Sequence, residues 1–170
     1  MGDSTTAGTP GWKSRIEAPP AGAGDQTSQY AWWLMQDEPD WEVLNQGVNG
    51  ERSDQIRARF ERDVIDHRPS AVVIIAGVND VYQGREAGHV IAQLDAMFSR
   101  AAAANITVVA GTIVPYNTAT DAQNRRMREI NDWIRNTAVA DGVVDFHAAV
   151  RDPSDPDKLL AVYDSGDHLH

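Results

Sequence analysis

The chain has 170 residues, of which 42% are hydrophobic, and this predicts one folded domain over residues 1–170 with a single core. Its 15 basic and 25 acidic residues give a formal net charge of −10, which disfavours nucleic acid and anionic lipid surfaces as partners. The sequence has no cysteine, which excludes disulfides and thiolate chemistry, and no apolar run near the roughly 20 residues of a membrane span.

The first part of the sequence predicts a long loop, a helix and a short strand. Residues 8–27 are rich in Gly, Pro, Ala and Thr and lack periodicity, which is typical of a loop. Loops of this length in a compact domain are often functional. A helix is expected over 28–37, because Pro39 can end it, and a short strand is expected over 41–45.

A second helix is expected over about 54–66, with Ser53 as its N-terminal cap. Its apolar residues recur at i, i+4 and i+8, which is the spacing of one helix face; they are Ile56, Phe60 and Val64.

The rest of the sequence alternates apolar runs with helical periodicity. Strands are expected over 71–76, 106–114 and 143–146, and helices over 86–104 and 121–139. The first of these strands is an unbroken apolar run, which indicates burial on both faces, as in a parallel sheet. Because such strands and helices form right-handed βαβ units, the predicted fold class is α/β with a parallel sheet.

Two polar segments follow predicted strands. Asn-Gln-Gly-Val-Asn-Gly at 45–50 follows the short strand, and Gly-Val-Asn-Asp at 77–80 follows the long apolar one. Ligands of open parallel sheets bind beyond the carboxyl ends of the strands, so both segments are expected on one rim. Gly2-Asp3-Ser4 would lie on the same rim if a strand preceded it.

Four motifs resemble the sequence blocks of the SGNH, or GDSL-type, hydrolase family of esterases and lipases. In chain order they are Gly2-Asp3-Ser4, Gly47-Val48-Asn49-Gly50, Gly77-Val78-Asn79-Asp80 and Asp167-His168-Leu169-His170. Each motif alone is a weak signal, whereas four in the right order across nearly the whole chain are a strong one. The resemblance implies the flavodoxin-like fold of that family, a three-layer α/β/α sandwich with a parallel sheet.

The resemblance also implies the role of each site residue. Ser4 is the nucleophile, with Asp167 and His170 as its triad partners. The backbone N–H groups of Ser4 and Gly50 and the side-chain amide of Asn79 form the oxyanion hole. The chemistry agrees, because a serine hydroxyl needs a neighbouring base, and Asp167, three residues before His170, can orient its imidazole.

The predicted function is hydrolysis of a small-molecule carboxylic ester through an acyl-enzyme, with no metal and no cofactor. The family acts on acetylated carbohydrates, short acyl esters, thioesters and lysophospholipids, and the lack of an extended apolar lid favours small acyl groups. Tyr82 and Tyr116, just past Asn79 and a predicted strand end, are candidates for lining the acyl or alcohol pocket. Neither the compartment nor the oligomeric state is predicted.

Two alternatives remain open. Carboxylate and imidazole ligands suit a metal-dependent phosphoesterase, and the C-terminal region offers Asp164, Asp167, His168 and His170. That interpretation leaves the serine motif and Gly50 unexplained. The chain could also be a binding domain, or an inactive remnant, of the hydrolase fold.

Both ends of the sequence depart from the family pattern. The family has an apolar strand before Gly-Asp-Ser and a helix after the final histidine. Here three residues precede Ser4 and none follows His170. The first strand and the last helix are therefore expected to be missing, and the domain to be incomplete.

Overall fold

The structure is a computed structural model that describes residues 1–166. Its helices are α1 (Ser4–Ala7), α2 (Tyr30–Asp37), α3 (Ser53–Ala58), α4 (Phe60–Asp63), α5 (Val78–Tyr82), α6 (Ala87–Ala103), α7 (Asp121–Asn136) and α8 (Phe146–Val150). Its strands are β1 (Trp12–Lys13), β2 (Ala23–Gly24), β3 (Ala71–Ile74), β4 (Thr107–Gly111) and β5 (Gly142–Val144). Within this part of the chain, no helix is both long and apolar enough to cross a lipid bilayer.

A parallel sheet forms the centre of the fold. β3 pairs with β4 and β4 with β5, both in parallel. Beyond β3 the sheet continues through Gly2, which makes single parallel bridges to Ile75 and to Gly47. The order across the sheet is therefore Gly47, Gly2, β3, β4 and β5, so the serine motif leaves the middle of the sheet.

One face of the sheet carries the hydrophobic core. α3, α6 and α7 pack side by side, and α6 also packs on β4. The ring of Phe98 in α6 stacks on Trp133 in α7, with centroids 5.9 Å apart. The buried residues of α6 recur at the 3–4-residue spacing of an amphipathic helix; they include Val90, Leu94, Met97, Phe98 and Ala101.

The opposite face is covered less completely. Phe146 of α8 lies over Gly111, where an added Cβ would be 2.9 Å from its ring, and the Phe146 ring centroid is 6.2 Å from that of Tyr30 in α2. Val73 of β3 is half-buried and both valines of β5 are exposed. The prediction that the strand at 71–76 is buried on both faces is therefore only partly correct.

Most predicted helices and strands are confirmed within one to three residues at their ends, and the fold class is α/β with helices on a parallel sheet. Three local predictions are wrong. No strand forms over 41–45, where only the following Gly47 bridges to the sheet. The loop predicted over 8–27 contains the short antiparallel hairpin of β1 and β2.

The third error concerns the helix predicted over 54–66. It is divided into α3 and α4 at Arg59, whose N–H bonds to the carbonyl of Ile56, three residues back, at 3.3 Å. Ser53 is the first residue of α3 and not its cap, which is Arg52. The hydroxyl of Ser53 donates instead to the buried carboxylate of Asp80.

Candidate active site

Ser4 begins α1, two residues after the glycine that bridges the sheet. The side chain of Asp3 accepts a hydrogen bond from the N–H of Thr5 at 3.0 Å, which starts the helix. Gly8, with a φ of 95°, ends it and donates its N–H to the carbonyl of Ser4 at 3.0 Å. Ser4 is buried. Its position is therefore fixed by a sharp turn from Gly2, inside the sheet, into α1 at the carboxyl ends of the strands.

Gly2 makes this turn possible because it has no side chain. A Cβ at Gly2 would lie 2.2 Å from both the carbonyl oxygen of Ile75 and the Oγ1 of Thr6. The carbonyl of Gly2 accepts two hydrogen bonds, one from the N–H of Val48 at 3.0 Å and one from Arg59 Nη2 at 2.9 Å. The serine motif is thus held between β3 and the second motif.

The second motif packs tightly at its first glycine and is open at its last. A Cβ at Gly47 would lie 2.2 Å from the backbone nitrogen of Ala7 in α1. Asn45 fixes the turn, since its Oδ1 accepts the N–H of Gly47 and its Nδ2 donates to the carbonyl of Thr6, both at 2.9 Å. Gly50 has a φ of 76°, and among residues 1–166 no atom beyond its chain neighbours lies within 4 Å of the position of an added Cβ.

Asn79 lies in α5, which starts soon after β3 ends. It is buried, and its Nδ2 donates to the carbonyl oxygen of Glu51 at 3.0 Å. This bond joins the third motif to the residue that follows Gly50. The segments that carry Ser4, Gly50 and Asn79 therefore meet at the carboxyl edge of the sheet, linked by hydrogen bonds.

Asp80, the next residue, has a structural position. It is fully buried, and its Oδ2 and Oδ1 accept hydrogen bonds from the N–H and the hydroxyl of Ser53, at 2.7 and 2.8 Å. Burial raises the pKa of Asp80, although the bonds from Ser53 act in the opposite direction. Asp80 thus supplies an N-terminal hydrogen bond of α3 from outside that helix.

The two candidate pocket tyrosines lie together but differ in exposure. Their ring centroids are 6.1 Å apart, and Tyr116 is 1% exposed whereas Tyr82 is 57% exposed. Burial, with a smaller contribution from Tyr82, raises the pKa of Tyr116 to about 12. The exposed ring of Tyr82 therefore lies against the buried ring of Tyr116. Their role in substrate binding stays a prediction.

The predicted triad partners Asp167 and His170 lie outside the described residues, as does His168. Three of the four residues of the alternative metal cluster therefore lie there too. The fourth, Asp164, accepts a hydrogen bond from the side chain of Asn117.

Asn117 is a residue that the sequence interpretation missed. It follows β4 in the chain and holds the segment that leads to the last motif. Its Oδ1 accepts the N–H of Leu159 at 2.9 Å and its carbonyl accepts from Lys158 Nζ at 2.8 Å. The available signal was a polar residue just past a predicted strand end, close to Tyr116.

Arg59 is a second missed residue, and it forms the most connected ion-pair cluster near the site. It is buried and donates to Glu51 at 2.6 Å and to Asp63 at 2.8 Å. Burial alone would raise the pKa of Asp63, but hydrogen bonds from Arg62, Arg59 and Arg15 outweigh it and hold that pKa well below its usual range.

Within residues 1–166, one group of side chains is close enough to share a metal ion. The ligand atoms of Asp54, Asp80 and His89 all lie within 4.8 Å of one another. Both carboxylates already accept hydrogen bonds from the protein, Asp54 from Arg52 and Asp80 from Ser53. These side chains are therefore close enough to share a metal ion, but both carboxylates are already hydrogen-bonded to other protein groups.

Comparisons with known proteins agree with this architecture. The sequence profile of the GDSL-like lipase/acylhydrolase family matches residues 1–170. The structure is similar to that of a G-D-S-L family lipolytic protein from Desulfitobacterium hafniense DCB-2, at 23% identity and a TM-score of 0.77, over 100% of this chain and 87% of that one.

Two further solved structures are similar over the whole of this chain. A GDSL-like lipase from Bacteroides thetaiotaomicron VPI-5482 has 21% identity and a TM-score of 0.73, with 77% of its chain covered. AlinE4, an SGNH-hydrolase family esterase, has 20% identity and a TM-score of 0.72, with 82% covered. At these identities the likeness establishes the fold. A comparison with curated protein sequences gives no match.

Proposed function

The chain belongs to the GDSL-like lipase/acylhydrolase family and is a hydrolase of ester bonds, and from this premise we propose that it is a serine esterase acting on short acyl esters. Ser4 is the nucleophile, His170 the general base and Asp167 the residue that orients it. The observation that carries the proposal is the position of Ser4, at a strand-to-helix turn that is hydrogen-bonded to the Gly47–Gly50 segment, which in turn accepts a hydrogen bond from Asn79 at Glu51.

Acylation begins when the hydroxyl oxygen of Ser4 attacks the ester carbonyl carbon. His170 removes the hydroxyl proton, and Asp167 stabilises the imidazolium that forms. The tetrahedral intermediate then collapses, the bond to the alcohol oxygen breaks, and His170 returns its proton to the leaving alcohol. The product of this half-reaction is an ester between the acyl group and Ser4.

Deacylation repeats the same steps with water. His170 removes a proton from a water molecule that attacks the acyl-enzyme, and then gives that proton to the oxygen of Ser4. A carboxylic acid leaves and the enzyme is regenerated. No step requires a redox change or an external group.

Three donors are proposed to stabilise the oxyanion in both half-reactions. They are the N–H groups of Ser4 and Gly50 and the Nδ2 of Asn79. The hydrogen bond from Asn79 Nδ2 to Glu51 supports this role, because it holds the amide in place before a substrate arrives. Loss of one oxyanion-hole donor typically costs about 3–4 kcal/mol of transition-state stabilisation.

The substrate class is proposed from the sequence and from the relatives. The sequence shows no extended apolar lid segment, and AlinE4 is an esterase. Tyr82, the exposed last residue of α5, is proposed to border the pocket for the acyl or alcohol group. We infer that short acyl esters fit better than long lipids.

The proposal is tested with a fluorophosphonate probe and p-nitrophenyl acetate. The native chain should be labelled at Ser4 and should hydrolyse the ester, and Ser4→Ala should lose both activities. Ser154→Ala is the matched control, since Ser154 is an exposed serine that hydrogen-bonds to Asp152. Full labelling of Ser4→Ala would rule out this nucleophile.

Chelation separates the esterase from the metal-dependent phosphoesterase. Ester hydrolysis should survive dialysis against EDTA, because the serine mechanism uses no cation. Loss of activity on chelation, with recovery on addition of Zn²⁺ or Mn²⁺ and turnover of p-nitrophenyl phosphate, would favour the phosphoesterase.

A further inference from the structure

We propose that Arg59 and Glu51 are positioning residues that hold the serine motif and the Asn79 amide in one rigid frame. The proposal rests on the proposed function. Neither residue belongs to the four motifs, and neither is assigned to contact the substrate. Their effect on the reaction is exerted through the backbone of Gly2 and the side chain of Asn79.

Arg59 fixes the backbone just before the nucleophile. Its Nη2 donates to the carbonyl of Gly2 at 2.9 Å, and the N–H of Val48 donates to the same oxygen at 3.0 Å. A carbonyl oxygen has two lone pairs, so these two bonds satisfy it fully. Because Gly2 lies two residues before Ser4, a displaced Gly2 carbonyl moves the turn that carries the nucleophile.

Glu51 connects this contact to the oxyanion donor. Its carboxylate accepts Arg59 Nε at 2.6 Å, and its backbone carbonyl accepts Asn79 Nδ2 at 3.0 Å. Glu51 thus accepts hydrogen bonds from the Arg59 guanidinium at its side chain and from the Asn79 amide at its backbone carbonyl. Glu51 also directly follows Gly50, so the same frame places the second backbone donor.

A guanidinium suits this task better than an ammonium. Its planar group presents donors in a fixed fork, so three acceptors on different segments can be held at once. Arg59 has three such acceptors, which are the carbonyl of Gly2 and the carboxylates of Glu51 and Asp63. The buried positive charge is balanced by the two carboxylates, so the frame is already formed without a substrate.

Catalysis depends on such a frame because the reacting groups must keep their geometry within about 0.5 Å. A misplacement of about 1 Å can cost about 100-fold in rate. Removal of the Glu51 carboxylate should therefore lower the rate of the chemical step, although the Glu51 carbonyl that holds Asn79 remains. Substrate affinity should change little.

The test compares Glu51→Ala, Glu51→Gln and Arg59→Lys with the native chain on p-nitrophenyl acetate. The number of functional sites is titrated with the fluorophosphonate probe, and kcat is expressed per titrated site. Glu51→Ala and Arg59→Lys should lower kcat about 10- to 100-fold, with KM within threefold of the native value. Glu51→Gln keeps an acceptor for Arg59 Nε and should recover most of the loss.

Arg62→Gln is the matched control. Arg62 lies three residues further along and donates to Asp63, as Arg59 does, but it is 69% exposed and its hydrogen bonds do not reach Gly2 or Glu51. Its kcat per site should stay within twofold of the native value. If Arg59→Lys fails to fold, Glu51→Ala decides the matter, since the Glu51 side chain is 17% exposed and the variant keeps the backbone carbonyl.

A second measurement tests the route through Asn79. If Glu51 acts by holding that amide, Glu51→Ala should lower kcat less than threefold in an Asn79→Ala background, so the two effects are not additive. Full multiplication of the two losses, or a fall in Tm with kcat per site unchanged, overturns the inference and leaves the esterase assignment standing. A native chain without ester hydrolysis overturns the proposed function, and this inference with it.

Discussion

The carboxylate of Asp80 accepts two hydrogen bonds from Ser53, one from the backbone N–H at 2.7 Å and one from the hydroxyl at 2.8 Å. The preceding residue, Asn79, holds the carbonyl of Glu51 at 3.0 Å. Two consecutive residues of α5 therefore fix both ends of the turn at 51–53. The same turn follows Gly50, so its conformation affects both the stability of the fold and the proposed oxyanion hole.

Two substitutions of Asp80 should show how much its hydrogen bonds with Ser53 stabilise the fold. Asp80→Ala leaves the buried N–H and hydroxyl of Ser53 without acceptors and should lower the free energy of unfolding by about 2–4 kcal/mol. Asp80→Asn keeps one acceptor oxygen for the N–H, and its amide can donate to the hydroxyl oxygen, so about 1 kcal/mol is expected. Urea denaturation measures both, and equal losses would contradict the hydrogen-bonding argument.

Two glycines of the second motif should respond differently to alanine. In Gly47→Ala the new Cβ would lie 2.2 Å from the backbone nitrogen of Ala7, so α1 must move, and a loss of about 3 kcal/mol is expected. In Gly50→Ala the Cβ meets no atom of a non-neighbouring described residue within 4 Å, and the expected cost is the strain of a φ of 76°, about 1–2 kcal/mol. Thermal and urea unfolding of the pair check this order, and a larger loss for Gly50→Ala would reverse it.

The parts of the fold that could be predicted from the sequence are those written in local patterns. The apolar run at 71–76 and the helical spacing over 86–104 depend on neighbours a few residues away, so periodicity identifies them. The short motifs could be located because each one has a characteristic residue order. The strand predicted over 41–45 lacked such a pattern and does not form.

The parts that could not be predicted depend on contacts between distant residues. The break at Arg59 accompanies a side chain that bonds to Gly2, 57 residues away in sequence. Ser53 donates to Asp80, 27 residues further along, whereas the local pattern predicted that Ser53 would cap the helix that follows it. Asn117 meets the 158–164 segment only through the fold. The spacing of residues within one helix or strand cannot predict hydrogen bonds between residues so far apart in sequence.

Asn79→Ala should reduce catalysis far more than substrate binding. The amide of Asn79 is assigned to the oxyanion, which carries its charge only in the transition state, so kcat should fall about 100- to 1,000-fold with KM nearly unchanged. The measurement is steady-state hydrolysis of p-nitrophenyl acetate. Asn136→Ala is the control, because Asn136 is exposed and its side chain bonds only within α7, to the carbonyl of Asp132. A loss confined to KM or to Tm would identify Asn79 as a turn residue.

Asp63 should make the stability of the chain depend on acidic pH. The pKa of Asp63 is lower in the folded protein than in the unfolded chain, because bonds from Arg62, Arg59 and Arg15 outweigh its burial. The unfolded chain therefore binds a proton first as the pH falls. The stability that Asp63 contributes is fully present above the ordinary aspartate pKa of about 4 and is lost as the pH falls below it.

Asp63→Asn should remove this dependence. At pH 7 it leaves the buried guanidinium of Arg59 with one carboxylate partner in place of two, and a loss of about 3–5 kcal/mol is expected. The difference in the free energy of unfolding between native and variant should shrink steadily from pH 4 downwards, as measured by urea denaturation at each pH.

Burial, followed by the charge of Arg59, also lowers the pKa of the α-amino group of Met1, to about 5. The charge of Asp63 acts against this shift, so the pKa of the α-amino group is lower in the variant, and its titration contributes to the difference between the two proteins around pH 5. Asp132→Asn, which removes an exposed partner of Arg135, should cost less than about 1 kcal/mol at pH 7. A native–variant difference that stays constant from pH 7 to pH 3 would mean that Asp63 does not stabilise the fold through its charge.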